Sequence, residues 1–307
     1  MLIWLPDDDW SDHLTLPAEV AVEVWRSDRA VPDSVTGVEF YVPEYLGPPS
    51  VVDIVQSMPS LKVVQTLTAG YEHLLDRLPR GVVLCNARDV HEASTAELAV
   101  GLTIASLRGF PGFVRAQDKA EWAHERHQAL ADKRVLILGY GSVGRAVAER
   151  LRPFEVELVL VANHPRPGIH VLAQLPELLP TVDVVVLTVP LTAATTHLVN
   201  HEFLSQMHDG SLLVNVSRGS VVDTDALLLE LNAKRLHAAL DVTEPEPLPA
   251  SHPLWKAPNL LVSPHVGGDT SAFPPRAWRL LQEQLNRYIA GGQLLNVVSI
   301  AGSVARG

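Results

Sequence analysis

Two α/β domains, each built on a doubly wound parallel sheet, are what this 307-residue sequence predicts. Three observations point there. At roughly 150 residues per domain, the length suits two domains. Short β-rich runs alternate with helical segments along the chain, which is the pattern of parallel strands joined by crossovers. In the second half those runs are nearly continuous Val, Leu and Ile, as expected of strands covered on both faces. An apolar content of 47% supplies material for sizeable cores.

The elements follow in order. From Met1 to about Arg88 the runs "LIWL", "VAVEVW", "VEFYV", "LKVVQTL" and "GVVLCN" each fit a strand of four to six residues, with a helical segment around Val51–Met58. Ser94 and Glu97 form an S-x-x-E pair, so the spacing predicts a helix starting there. Leu98, Leu102, Ala105 and Leu107 are its apolar positions, and Gly109 with Pro111 ends it. This helix is the expected hinge. A second α/β run opens at "KRVLILGYG" and continues through "VELVLVA", "VDVVVLTV", "GSLLVNVS", "LHAALDV" and "NLLVSPH", with "TDALLLELNAKR" helical between two of them. The last helix, "PPRAWRLLQEQLNRYIAGG", puts Trp278, Leu281, Leu285 and Tyr288 on one face and stops at Gly291 and Gly292. The tail after it is expected to return to the first domain. The expected division is therefore 1–93 plus 283–307 for one domain and 94–282 for the other.

Bulk properties narrow the function. The net charge is −11 and no long basic run occurs, which argues against a nucleic-acid partner. Anionic ligands must then be met by local positive sites. Apolar runs such as "DVVVLTVPL" are too short and too interrupted to span a membrane. The start "MLIWLPDDDW" lacks a basic n-region and turns acidic at Asp7, so no secretory signal is expected, and Asp7–Asp9 reads as a solvated turn. The one cysteine, Cys85, rules out an internal disulfide, suits a reducing cytoplasm, and reads as core after its apolar run. In "HERH", His124 and His127 would lie one helical turn apart near Glu121 and Glu125, but no third ligand is visible and no metal site is expected.

In "LILGYGSVGRAVAERL", Gly139, Gly141 and Gly144 follow a strand and open a helix. In such a turn the first glycine permits the bend, the second the approach of a pyrophosphate, and the third close helix packing. The helix N-terminus adds free N–H groups and a positive dipole end. A dinucleotide is the ligand this context predicts. An acid that accepts from the ribose 2′-hydroxyl is expected about twenty residues on, yet the chain reads "VLVANHPRPG". A 2′-phosphate wants a cation there instead, and Arg166, with Asn163 and His164 as neutral donors, supplies one. NADPH is thus expected over NADH; a solvated loop with less selective NAD binding is the other reading.

Three further segments, "VNVSRGSVVD", "LDVTEPEPLP" and "VSPHVGGDT", each follow a strand of the second domain, where open α/β sheets bind ligands. They offer a guanidinium at Arg218, carboxylates at Glu244 and Glu246, and an imidazole at His265.

With "GYGSVG", "NVSRGSVVD", "ALDVTEPEPLP", "SPHVGG", "TAGYEHL" and "STAE" in this order, the chain resembles the D-isomer-specific 2-hydroxyacid dehydrogenase family over essentially its whole length. The resemblance implies a flavodoxin-like substrate domain and a Rossmann nucleotide domain with a cleft between them, which closes about the hinge near Glu92–Leu107 to exclude water. It implies reduction of a small 2-keto acid, such as glyoxylate or hydroxypyruvate. His265 is then the general acid, since an unperturbed imidazole titrates near 6.5. The family pattern places the catalytic carboxylate directly before "PL", which selects Glu246 to orient that ring. Arg218 binds the substrate carboxylate with its planar fork of donors. Backbone N–H groups of Ala69 and Gly70 form a small anion cradle. Tyr71 stands where a smaller aliphatic residue is common, either shaping the pocket or packing beside the sheet, and Tyr41 and Tyr45 are candidates to line the same cleft.

Cofactor contacts are further implied from Ser142 and Val143 in the glycine turn, from Val189, Pro190 and Thr195 after "VDVVVLTV", and from Val216 and Ser217 beside Arg218. Asp241, Gly267 and Thr95 complete that set. The resemblance also implies a homodimer, with the hinge helix near its interface, and no metal. Two other readings stay open. One is a dinucleotide-sensing protein like the family's transcriptional corepressors, disfavoured by the short termini. The other is a dehydrogenase of a different small anion, formate or phosphite. A phosphoglycerate dehydrogenase with a regulatory domain does not fit the length.

Overall fold

The computed structural model describes residues 1–71 and 74–300. Glu72 and His73 of the "LTAGYEHL" loop and the tail 301–307 lie outside the described residues. The chain divides into two compact units, residues 1–91 with those from 271 onward, and residues 92–270.

The first unit holds β1 (Leu2–Leu5), β2 (Ala21–Val24), β3 (Val38–Tyr41), β4 (Val63–Gln65) and β5 (Val83–Cys85). They are parallel in the order β5-β4-β3-β1-β2, and a C-terminal strand, Val297–Ile300, adds antiparallel to β5. Because side chains alternate along a strand, β1, β3, β4 and β5 each feed two cores. Ile3, Leu5, Phe40, Val63 and Cys85 enter one, and Trp4, Tyr41, Val64 and Leu84 the other. That alternation removes Tyr41 from the cleft expected from sequence. It is buried, its hydroxyl donates to the Val51 carbonyl at 2.9 Å, and burial together with the Glu44 charge raises its pKa far above the phenolic range. Cys85 is core, and burial pushes its thiol up to about 12 against a smaller opposing effect of its hydrogen bond with Gln284. Asp7 is more than a solvated turn. It caps the helix Asp8–Asp12 and pairs with Arg26 at 3.3 Å.

The helix Phe273–Ile289 closes the first core with Phe273, Ala277, Leu281 and Leu285, while Trp278 and Tyr288 pack half-buried beside them. Its whole apolar stripe serves this unit. The chain therefore crosses at 270/271, ahead of the helix, rather than inside it at 282/283. Gln284, fully buried, donates to Gln65 Oε1 at 2.8 Å and to the Leu295 carbonyl at 3.0 Å, and accepts from Leu295 N–H at 2.7 Å. This amide ties the returning chain to β4.

The second unit holds β6 (Arg134–Leu138), β7 (Glu157–Ala162), β8 (His170–Val171), β9 (Val184–Leu187), β10 (Leu212–Asn215), β11 (His237–Leu240) and β12 (Leu260–Val262). All are parallel, in the order β12-β11-β10-β9-β6-β7-β8. The order reverses between β6 and β9, the switch point at which such sheets bind ligands. Helices Glu92–Leu107 and Ser142–Leu151 cover one face, and Leu175–Leu178, His201–Gln206 and Thr224–Asn232 the other.

The first of these helices starts at Glu92, two residues ahead of the expected cap. Ser94 lies inside it and shares a hydrogen bond with the Thr270 hydroxyl at 2.7 Å, so the S-x-x-E box does not form. Gly109 ends the segment at φ +67°, and Pro111 enters the first turn of the next helix, Phe110–Asp118. Residues 121–129 are not helical, which separates His124 from His127; the latter packs edge-on against Phe113, ring centres 5.1 Å apart. Among the described residues no group of three or more His, Cys, Asp or Glu is placed to hold a metal, and no helix is long and apolar enough to cross a membrane.

Candidate active site

The glycine turn leaves β6 at the switch point. Gly139 has φ +109°, and a Cβ there would meet the Thr188–Val189 backbone at 2.7 Å; at Gly144 it would run into the Gly139 carbonyl. Both positions therefore demand glycine for packing within the protein. Gly141 differs. A Cβ there would meet nothing within 4 Å, so its missing side chain leaves open space beside the helix N-terminus. This is the cradle a pyrophosphate needs, and the residues fit a dinucleotide. Ser142 Oγ donates to Glu92 Oε1 at 3.0 Å, while Val143 joins the core beneath.

A cavity of about 380 Å³ opens from this turn. It gathers Gly139, Gly141, Asn163, His164, Arg166, Val189, Pro190 and Thr195, the residues expected to meet the nucleotide, and adds Tyr140 and Leu172. Among the described residues no carboxylate lines it, and Arg166 is the one Lys or Arg side chain there. The guanidinium donates to the Tyr140 carbonyl at 3.2 Å, which holds it across the mouth of the turn. The Thr195 hydroxyl is spent within its own loop, donating to the Pro190 carbonyl at 2.6 Å.

The strands β10, β11 and β12 are neighbours, so their C-terminal loops stack in order and bring the candidate trio together. Arg218 follows β10. Its Nη1 donates to the Ser217 carbonyl at 2.7 Å. The turn is set by buried Asn215, which donates to the Arg218 carbonyl at 2.9 Å and accepts from Ser217 N–H and Oγ at 3.0 and 2.7 Å. Val216 is buried beneath it. Glu246 follows β11, and His265 follows β12.

His265 Nδ1 is hydrogen-bonded to Glu246 Oε1. The neighbouring Glu244 is engaged elsewhere, 3.2 Å from His197 Nε2, so the two glutamates of "EPEPLP" are separated by partner. Partial burial of Glu246 works to raise its pKa, but the His265 hydrogen bond and charge, the Thr243 N–H and the Arg218 guanidinium outweigh it. The carboxyl is held below the usual range and stays ionised.

Asp241 is buried, and its carboxylate accepts from Ser263 Oγ at 2.7 Å and from the N–H groups of Val266 and Gly267, both at 2.9 Å. Its side chain therefore clamps the segment that bears His265. That segment is strained, with His265 at φ +52° and its N–H bonded to the Asp241 carbonyl at 2.8 Å. Thr95 lies beside Gly267, with its methyl 3.6 Å from where a Cβ on that glycine would sit.

Sequence reasoning missed Asn215 and Gly219. A Cβ on Gly219 would overlap the Thr243 carbonyl, so the loop bearing Arg218 and the loop leading to Glu246 touch backbone to backbone there. The "SRGS" glycine was the available signal. In the first unit, Asn86 and Thr68 bond the carbonyls of Ala69 and Gly70, both at 2.7 Å, and Tyr71 packs half-buried on the core. Tyr45 stacks on Phe273 with ring centres 4.3 Å apart.

A switch-point glycine cradle with an Arg, Glu and His set on three successive strand ends defines a dinucleotide-dependent oxidoreductase. Residues 100–267 match the model of the D-isomer specific 2-hydroxyacid dehydrogenase NAD-binding domain, more than half of the chain. The chain belongs to the D-isomer-specific 2-hydroxyacid dehydrogenase family, whose general reaction is NAD(P)H-dependent. A human glyoxylate reductase/hydroxypyruvate reductase is 36% identical over 225 residues, 69% of each chain. A family member from Xanthobacter autotrophicus Py2, solved with NADPH and MES, is 29% identical with a TM-score of 0.81 over 97% of each chain. An NADPH-dependent glyoxylate/hydroxypyruvate reductase from Sinorhizobium meliloti, solved with NADP and malonate, is 26% identical with a TM-score of 0.81, covering 100% of this chain and 99% of that one.

Proposed function

We propose that the protein reduces a small 2-keto acid to the D-2-hydroxy acid and prefers NADPH. The observation that carries this reading is the Glu246–His265 pair beside Arg218 on adjoining strand ends. Bound NADPH supplies the hydride that the carbonyl carbon receives. With Nδ1 held by Glu246, His265 presents Nε2 to the carbonyl oxygen and gives it a proton as charge develops there. Arg218 draws in the substrate carboxylate and polarises the carbonyl. Ala69 and Gly70 of the first unit offer N–H groups suited to a small carboxylate. Asp241 acts as a positioning residue for His265. Steady-state oxidation of NADPH and NADH over a keto-acid panel tests the reading. Tight dinucleotide binding without turnover of any keto acid, formate or phosphite would favour the sensing alternative.

Cofactor preference rests on the acid-free cavity and Arg166. Arg166→Ala is expected to raise the KM for NADPH at least about tenfold, the worth of one charge-assisted hydrogen bond, and to leave the KM for NADH nearly unchanged. NADPH preference that survives the change would mean another group meets the 2′-phosphate.

A homodimer is the proposed assembly. The helix Phe110–Asp118 buries none of its residues and exposes Phe110, Phe113 and Val114 together. Exposed apolar faces of this kind mark interaction surfaces. Sedimentation is expected to give twice the chain mass, and Phe113→Asp with Val114→Asp to shift it toward the monomer. A monomeric wild-type protein would end this part of the proposal.

A further inference from the structure

The loops after β9, β10 and β11 meet at a side chain that has no place in the hydride or proton steps. His197 stands at the end of the loop after β9, which gives Val189, Pro190 and Thr195 to the nucleotide cavity. Its N–H donates to the Ser220 carbonyl at 2.8 Å, two residues past Arg218. Just beyond it, buried Val199 forms a parallel bridge with Val222. Val199 N–H donates to the Val221 carbonyl at 3.0 Å, and Asp223 N–H to the Val199 carbonyl at 2.9 Å. The backbone under the imidazole is thus fixed to the loop that bears Arg218. His197 sits at φ +49°, a left-handed backbone that His and Asn adopt more readily than most residues.

From there the ring reaches the third loop. Nε2 lies 3.2 Å from Glu244 Oε2, and since a carboxylate only accepts, the imidazole donates. The Glu244 carbonyl accepts from the Thr224 hydroxyl at 3.2 Å, so this residue is held at both ends. Glu246 follows two residues later. Pro245 and Pro247 lock their φ angles, and Thr243 Oγ1 donates to the Pro245 carbonyl at 2.9 Å, so the chain from Glu244 to Glu246 has few soft torsions. Pro245, Glu246 and Pro247 are exposed. Hydrogen bonds rather than core packing therefore set where the Glu246 carboxylate lies. The His197–Glu244 pair is itself half-exposed, and such a pair adds little to global stability. Its effect is on the geometry of the loop.

We propose that His197 is a positioning residue for the catalytic carboxylate: its bond to Glu244 braces the loop after β11 so that Glu246 stays seated on His265. This rests on the reductase reading, in which His265 gives the proton and Glu246 orients its ring. Without the brace the Glu246 loop gains freedom, and the ring is correctly oriented for a smaller share of the time. Turnover falls, while nucleotide binding at the glycine turn and Arg166 is kept.

His197→Asn tests the brace, because it suits the left-handed backbone but is too short to reach Glu244. With a keto acid that the wild type reduces, kcat should fall at least about fivefold, since small displacements of a catalytic group are costly. The KM for NADPH should stay within about twofold of wild type. His197→Gln, whose amide can span the gap, should recover most of the lost kcat. Glu244→Ala should match His197→Asn, and the double variant should be no worse than either, because both remove one interaction. Melting temperatures should stay within about 4 °C of wild type. An unchanged kcat in His197→Asn, or a loss that His197→Gln fails to recover, would overturn the brace and leave the reductase standing. So would a raised KM for NADPH at wild-type kcat, which would assign the ring to the nucleotide loop. A wild-type protein that turns over no keto acid would overturn the reductase reading, and this role with it.

Discussion

His265→Ala is expected to lower kcat for keto-acid reduction by about 10²–10⁴-fold, the usual worth of a positioned general acid. Binding of NADPH should change little. The imidazole is exposed on a loop after β12, whereas the dinucleotide cradle is built after β6 from Gly139, Gly141 and Gly144. The side chain carries no core packing, so its loss should register in turnover rather than in folding. Glu246→Gln probes the partner. The Glu246 carboxyl sits below its usual range, so its ionised form stabilises the folded site. For a carboxyl of depressed pKa that contribution is full above the ordinary carboxylate value and is lost as pH falls through the lower folded value. The stability gap between wild type and Glu246→Gln, read by denaturant unfolding, should therefore be present at neutral pH and close in acid, below about pH 4. A kcat that falls less than tenfold in His265→Ala would remove the imidazole from the proton step. A stability gap that widens in acid would contradict the ionised state of Glu246.

Local chemistry was legible in the sequence to the degree that it depended on neighbours along the chain. The glycine turn could be placed because a strand and a helix flank it within a dozen residues. Arg218, Glu246 and His265 stood out because each ends an apolar run and their residue types complement one another. The two cores of the first unit follow from period-two alternation, yet the same rule, applied strictly, would have taken Tyr41 out of the cleft. Phe40 and Tyr41 cannot both face the same side of β3.

Long-range contacts escaped the sequence reading. Ser94 and Glu97 have cap spacing, but the helix gains a turn at Glu92 and the Ser94 hydroxyl finds Thr270, 176 residues away. The return of the last helix to the first unit is fixed by a buried amide pair, Gln65 with Gln284, that no local pattern marks. Asp241 was expected at the cofactor, but its carboxylate holds the chain from Ser263 to Gly267, a role visible only when β11 and β12 lie side by side.

The same reasoning makes Gly219 the most sensitive backbone position in the site. Gly219→Ala is expected to lower kcat/KM at least about 10²-fold, because small displacements of a catalytic group carry that penalty. It should also cost about 1–3 kcal/mol of stability, as overpacking does. An added methyl group there meets the Thr243 carbonyl and approaches the Glu244 N–H at 2.8 Å. Those are backbone atoms of a loop pinned by Thr224, whose hydroxyl donates to the Glu244 carbonyl at 3.2 Å, so they cannot rotate aside as a side chain would. The two loops must part, and Arg218 moves away from Glu246. Gly141→Ala supplies the contrast. Its methyl group meets nothing within 4 Å, so stability should hold while NADPH affinity falls, since the lost space is the space for the pyrophosphate. Thermal unfolding, NADPH titration and turnover on the two variants separate these outcomes. If Gly219→Ala keeps both its melting temperature and its kcat/KM, the contact between the two loops does not hold Arg218 and Glu246 in register.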